Sequence, residues 1–283
     1  MSKQTNYTEL NQRIKDLAAR IKVPATKTAG QVWFEVSSQL TTETKVSQFS
    51  SWLKVAASVV LVASSSYLFY KGQDVKVVTA RAQQLEVTLP DNSKVLLNAE
   101  TTLAYNKLSW RASRSLQFEG EGFFQVQKGS AFAVHSTQGA TRVLGTSFNI
   151  YARKNDYQVS CSSGRVRVEY ADHRDTKILT AGLETSNING NLHVRSFEQT
   201  KTLGWQKGEF YFEAEPLHKV FATIERQYNV RLSFQQIDVS RRYTGFFTNQ
   251  DIDETMKIVC LPMGLNYQIV NAHQIKIYKE QNV

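Results

Sequence analysis

Residues 52–70 read WLKVAASVVLVASSSYLFY, and this one apolar stretch divides the chain into a short head and a long tail. From Val55 to Tyr70 it carries no charge, with Lys54 and Lys71 at its borders and Trp52, Tyr67 and Tyr70 near its ends. Amphipathic aromatics favour the headgroup layer of a bilayer, and a spanning helix needs about 20 apolar residues. The stretch reaches that length once Trp52, Leu53 and the stem of Lys54 are counted, since a lysine can snorkel to water. Ser58, Ser64, Ser65 and Ser66 fit the alternative of a buried core helix. The absence of a polar face at helical spacing favours a transmembrane helix over 52–70. The stretch lies far from Met1 and lacks a small-residue cleavage signal, so an uncleaved signal anchor is expected rather than a removed leader.

The chain of 283 residues is 41% hydrophobic and 11% aromatic, which supports packed domains rather than disorder. Its formal charge of +9 invites a nucleic-acid reading. Residues 1–51 hold 7 basic and 4 acidic side chains, residues 72–203 hold 16 and 12, and residues 204–283 hold 9 and 9. The excess is spread thinly, with no basic run to track a phosphate backbone, so no direct nucleic-acid partner is expected. Cys161 and Cys260 form no CxxC pair; a bridge between them and two separately buried thiols are both open, the thiols being favoured. His135, His173, His193, His218 and His273 have no metal-ligand spacing, so neither metal nor cofactor is expected. Lys45 and Lys54 precede the span and Lys71, Lys76 and Arg81 follow it, so flanking charge does not orient it. A first and only span generally leaves the shorter head in the cytoplasm.

In the head, Tyr7, Leu10, Ile14, Leu17 and Ile21 recur at steps of three and four, a stripe on one helical face. Asn6 or Thr8 is placed to cap this helix and Pro24 to stop it. A second helix is expected from about Thr28 to Leu40, with Val32, Trp33, Val36 and Leu40 on one side. Two short amphipathic helices barely make a core. They either pack on each other or leave a stripe open for a partner. Residues 41–51 read as a polar linker.

Beyond Val75 the period changes to strands: VKVV, LEVTL, KVLLN, TLAYN, RSLQFEG, GFFQVQ, AFAVHS, TRVLG, SFNIYA, YQVSCS, RVRVEY and LHVRSF, punctuated by Gly, Asn, Asp and Pro. Many short strands predict an all-β domain over 75–200, as a sandwich or a short solenoid. From Gly204 the order becomes β-α-β, β-α-β-β. Its strands are Glu209–Glu213, Val230–Phe234, Thr244–Thr248, Leu265–Val270 and Gln274–Tyr278. One helix opens at Pro216 and another is capped by Asp251. This predicts a small α+β domain over 204–283, with two helices on a sheet. The fold class is therefore multidomain: a helical head and linker (1–51), a transmembrane helix (52–70), a β domain and an α+β domain.

The tail carries LPDNSKVLLN (89–98), EGEGFFQV (119–126), FAVHST (132–137), VLGTSFNI (143–150) and SGRVRV (163–168), then WQKGEF (205–210) and the Glu215-Pro216-Leu217 helix start. In that order these motifs resemble the FecR family of transmembrane anti-sigma regulators over most of residues 75–280. Asn92 stands where the family's turn often has Gly, and Gly122 where Ala is common. The resemblance implies a single-pass inner-membrane protein of a Gram-negative bacterium, with N-terminus cytoplasmic and C-terminus periplasmic. Its head would bind an extracytoplasmic-function sigma factor. Its tail would receive a signal from the N-terminal signalling domain of an outer-membrane TonB-dependent transducer, regulating uptake genes. It also implies that the C-terminal α+β domain is similar to the short N-terminal domains of secretins and such transducers. On this reading Leu10, Ile14, Leu17, Ile21 and Trp33 are the sigma-contact candidates.

Chemistry is sparse. Gly120-Glu121-Gly122 follows a strand and enters another, leaving no helix N-terminus for a phosphate. Its glycines predict a turn or bulge, and neither Glu119 nor Glu121 has an apolar pocket in view to raise its pKa. At Gly145-Thr146 a hydroxyl follows a flexible Gly peptide, the arrangement an N→O acyl shift needs, and some relatives in the family are processed at the matching step. The bland reading is a tight turn whose Thr hydroxyl satisfies a backbone group. Ser64–Ser66 would ease unwinding of the span for an intramembrane protease, or simply sit at the interface. With no convergent acid/base, nucleophile or metal set, an enzyme is not expected. The alternative to a regulator is a structural membrane-anchored β protein of the envelope.

Overall fold

The computed structural model describes residues 4–20, 27–39, 48–154, 156–170, 175–188 and 191–279. The chain divides into two compact units, residues 1–64 and 65–283.

The head carries α1 (Gln4–Arg20) and α2 (Ala29–Gln39). α1 begins ahead of the expected caps Asn6 and Thr8. α2 starts where Gln31 reaches back: its Oε1 accepts from the Thr28 backbone N–H at 3.1 Å, half of a capping box. Next comes α3 (Gln48–Lys71), a continuous helix of 24 residues that takes in part of the expected linker. Its segment Trp52–Lys71 is long and apolar enough to cross a membrane. Every side chain of that segment is exposed, unlike a core helix. Ser58 Oγ donates to Val55 O at 2.7 Å and Ser64 Oγ to Leu61 O at 3.0 Å. These hydroxyls are satisfied within the helix, as an apolar surround demands.

The β region of the tail comprises β1 (Asp74–Val78), β2 (Leu85–Thr88), β3 (Lys94–Leu97), β4 (Thr102–Asn106), β5 (Arg114–Gln125), β6 (Phe132–His135), β7 (Gly139–Val143), β8 (Ser147–Arg153), β9 (Asp156–Ser163), β10 (Arg165–Tyr170), β11 (Thr176–Thr180), β12 (Leu183–Ile188) and β13 (Asn191–Ser196). They form two hydrogen-bonded layers that share β5. The first runs β1-β4-β5-β6-β7-β10-β11 and the second β2-β3-β5-β8-β9-β12-β13. Among the described strands of these two layers, only β5 and β6 pair in parallel. The layers enclose one core, with Leu103, Phe118, Val134 and Val168 meeting Phe124, Phe148, Ile150 and Val159. A near-barrel sandwich therefore stands where sandwich and solenoid were both open.

β5 corrects the sequence reading. RSLQFEG and GFFQVQ are not two strands about a turn but one strand of 12 residues. Arg114–Glu119 pairs in the first layer and Gly120–Gln125 in the second. Strands switch layers at bends, and Gly120 makes this one at φ 124°. A Cβ there would lie 2.4 Å from Thr101 Oγ1. Thr101 Oγ1 in turn accepts from Glu121 N at 3.1 Å and donates to Glu121 O at 3.2 Å, pinning the bend. The Pro90–Ser93 turn is tied to the far end of the same strand. Arg114, 8% exposed, pairs with Asp91 and donates to Ser130 O and Gln127 O at 2.9 Å.

The chain ends with α4 (Gln199–Thr202), β14 (Glu209–Pro216), α5 (Leu217–Tyr228), β15 (Arg231–Gln235), β16 (Arg242–Thr248), α6 (Ile252–Cys260), β17 (Leu265–Asn271) and β18 (Gln274–Lys279). The α+β elements are as expected, but the strands make two sheets, β14–β16 and β15–β18–β17, rather than one. Both sheets contribute to a second core with the helices: Phe210 and Phe247 from one, Leu232, Ile275 and Ile277 from the other, around Val220, Phe221, Ile224, Met256 and Val259. The apolar faces of two amphipathic helices have more surface to bury than one face of a small sheet offers. Asp251 caps α6, its Oδ1 accepting from Asp253 N at 2.7 Å and Glu254 N at 3.1 Å.

Candidate functional site

Three places are candidates for a functional role. In the head, the side chains of residues 11–20 are all exposed, and α2 buries none of its residues. Leu17 is 64% exposed, Trp33 73% and Ile14 54%. Leu10 lies within α1, and Ile21 falls outside the described residues. The alternative in which the two helices bury their stripes on each other is not what the described residues show. Phe34 is exposed beside Trp33, an apolar residue the stripe on α2 did not include.

The second place is Gly145-Thr146, between β7 and β8. Gly145 has φ 147°, and a Cβ on it would meet Lys128 Cα at 2.7 Å, so only glycine fits. Thr146 is buried; its Oγ1 donates to Arg165 O at 3.1 Å, and its carbonyl accepts from Val126 N at 3.0 Å. The hydroxyl thus satisfies a backbone group, next to a peptide in a conformation that other residues avoid.

The third was not visible in the sequence. The outer face of the second layer is covered by the C-terminal α+β region, with Leu96 and Phe123 packed against its core. Polar groups ring that contact. Trp205 Nε1 donates to Asn149 Oδ1 at 3.2 Å, and Gln227 Nε2 donates to Asn98 Oδ1 at 3.0 Å. Lys219 Nζ meets Asp156 Oδ1 at 2.9 Å. At the centre, Glu121 accepts from Asn98 Nδ2 at 2.8 Å and Asn149 Nδ2 at 3.4 Å. Loss of water pushes the Glu121 carboxyl above its usual range, against the pull of Arg153, the Asn98 hydrogen bond and Arg226. The same desolvation, with the neighbouring Arg226 charge, lowers Arg153. No apolar pocket for Glu121 is in view in the sequence, yet its desolvation in the fold raises its pKa. As part of a strand rather than a turn, Glu121 points outward beside Phe123, onto the face that the C-terminal region covers. Its partners stand at positions 98, 149, 153 and 226, so no local motif announces them.

Cys161 and Cys260 are free and lie in separate cores. Burial pushes their thiols up to about 11 and about 12. Among the described residues no group of three or more His, Cys, Asp and Glu is placed to hold a metal ion.

Two family models match the tail. The one described as FecR protein matches residues 75–167, and the one described as FecR, C-terminal, matches residues 209–277. Among solved structures, the fold is similar to a crystal structure of a candidate anti-sigma factor from Parabacteroides distasonis ATCC 8503 at 2.50 Å resolution. The TM-score is 0.68 and the identity 26%, covering 74% of this chain and 100% of that one. A second structure, of a candidate anti-sigma factor from the same strain at 1.65 Å resolution, gives 0.67 and 26%, covering 73% of this chain and 100% of that one. No curated protein matches the chain.

Proposed function

The chain belongs to the FecR family of anti-sigma regulators, and from that premise we propose a single-pass membrane protein that carries a signal from its tail to a sigma factor held by its head. In this reading residues 1–51 are the cytoplasmic head and linker, 52–70 the span, 75–200 the FecR-like domain and 204–283 a signalling domain. The membrane is the inner membrane, with the tail in the periplasm. The partner of the head is an extracytoplasmic-function sigma factor, and that of the tail is the signalling domain of a TonB-dependent transducer. The observation that supports it most is the head, which holds apolar side chains on helices that bury none among the described residues. Such a face is what a groove on a partner takes up. Leu17→Glu and Trp33→Glu should each weaken capture of the sigma factor encoded beside this gene by about 30-fold, roughly 2 kcal/mol. Binding unchanged in both would refute the sigma-binding head and favour a structural envelope protein.

The Gly145-Thr146 peptide supports a second element of this reading, processing of the tail. Thr146 Oγ attacks the Gly145 carbonyl carbon, the C–N bond breaks, and the amide nitrogen takes up the hydroxyl proton. Water then hydrolyses the ester, leaving a Gly145 carboxyl and a Thr146 amine. Its support is the glycine-only φ of the peptide to be cut. Mass spectrometry of the purified protein should find a fragment beginning at Thr146, absent from Thr146→Ala; an intact chain throughout would end this element.

A further inference from the structure

One end of the first layer carries positive charge, most of it without an acidic partner among the described residues. The register places Asp74 opposite Asn106, Phe132 opposite both Arg114 and Val143, and Arg165 opposite Thr180. These residues therefore share an end of the sheet. It is also the end at which α3 finishes, since Asn106 Nδ2 donates to Tyr70 O at 2.8 Å and Lys107 N to Gln73 O at 3.0 Å. Lys107, Arg111, Lys128, Arg165 and Arg167 are exposed here, and none has an acidic partner among the described residues. Arg142 and Arg167 stand directly opposite each other on β7 and β10. Like charges so placed are destabilising, and Glu169 pairs with Arg142 alone of the two.

An open groove of about 840 Å³ runs among Lys128, Arg142, Leu144, Arg165, Arg167 and Ile178. Leu144 is 66% exposed and Ile178 60%. Leu108, in the loop after β4, is exposed next to Lys107. Cations interleaved with exposed aliphatic tips, at the same strand end of the layer as the finish of an apolar helix, match the chemistry of a bilayer surface: phosphates over hydrocarbon.

We propose that this end of the tail lies on the anionic phospholipid of the membrane that α3 spans, with the groove of Arg142, Arg165 and Arg167 seating a lipid phosphate. The proposal rests on α3 being a membrane span. It also gives the opposed arginines a reason: a phosphate between them turns repulsion into two charge-assisted contacts.

The full chain is reconstituted into vesicles of phosphatidylcholine, with or without phosphatidylglycerol. It carries an environment-sensitive label at Leu144→Cys or, as a control in the span, at Leu61→Cys. The native thiols are buried, so the introduced one reacts. Brominated lipid should quench the Leu61 label in both vesicles and the Leu144 label only with phosphatidylglycerol. That second quenching should be lost in Arg165→Glu/Arg167→Glu and at high salt, which screens charge. If the Leu61 label is quenched but the Leu144 label behaves alike in both lipids, the lipid contact is overturned while the span stands, and an acidic protein partner becomes the better occupant. If the Leu61 label is not quenched, the span reading fails and takes this inference with it.

Discussion

The head and the tail are built on opposite economies of apolar surface. Residues 11–20 of α1 and all of α2 are exposed, whereas the tail encloses two cores in which Phe118, Phe124, Phe148, Phe221 and Phe247 are almost wholly removed from water. Burying such a side chain is worth about 1.5–3 kcal/mol, so the tail draws its stability from its own packing. The head has no such source among its described residues. Its stripes gain only by meeting another surface, which suits a segment that holds and releases a partner. The tail is suited to hold a shape while something acts on it.

Breaking the tail should be the larger effect. Phe124 stacks on Phe148 at 5.1 Å and meets Phe118 edge-on at 5.2 Å. Phe124→Ala should cost about 3–5 kcal/mol, read as a lower thermal midpoint; a loss under about 1 kcal/mol would mean the two layers do not share this core. Head substitutions should do the reverse. Leu17→Glu and Trp33→Glu, the substitutions proposed to weaken partner binding, should leave the stability of the free protein within about 0.5 kcal/mol. A large drop in midpoint would show that the stripe has an intramolecular home.

The subtlest test concerns the polar centre around Glu121. Because the folded state raises the Glu121 pKa, the folded protein binds more protons than the unfolded chain between the ordinary carboxylate value and the raised one. Stability from this group is therefore full below the unfolded pKa and declines as pH rises through the folded one. Glu121→Gln keeps a neutral hydrogen-bonding group and should flatten that decline and raise stability at neutral pH. A variant with the slope of the native protein would place the titration elsewhere.

Much of this was legible in order. The apolar run, the strand punctuation and the βα alternation are local signals, and α5, α6 and their flanking strands lie where periodicity put them. The exposed stripes, with Ile14 and Leu17 on α1 and Trp33 on α2, could also be read, since a helical face is a pattern of three and four. Gly120 misled, because glycine between two carboxylates marks a turn as readily as a bend within a strand. Only the approach of Thr101, nineteen positions earlier, decides between them.

Sequence alone determined the long apolar helix, the all-β then α+β order of the tail and the amphipathic head, since each follows from hydrophobic spacing within a few turns or strands. Tertiary structure decided what depends on distant residues meeting. It made β5 one strand serving two layers, set Glu121 in a desolvated contact with the C-terminal region, and gathered Lys128, Arg142, Arg165 and Arg167 at the sheet end where the apolar helix α3 finishes. Burial and charge proximity are properties of the packed chain, and no local pattern encodes them.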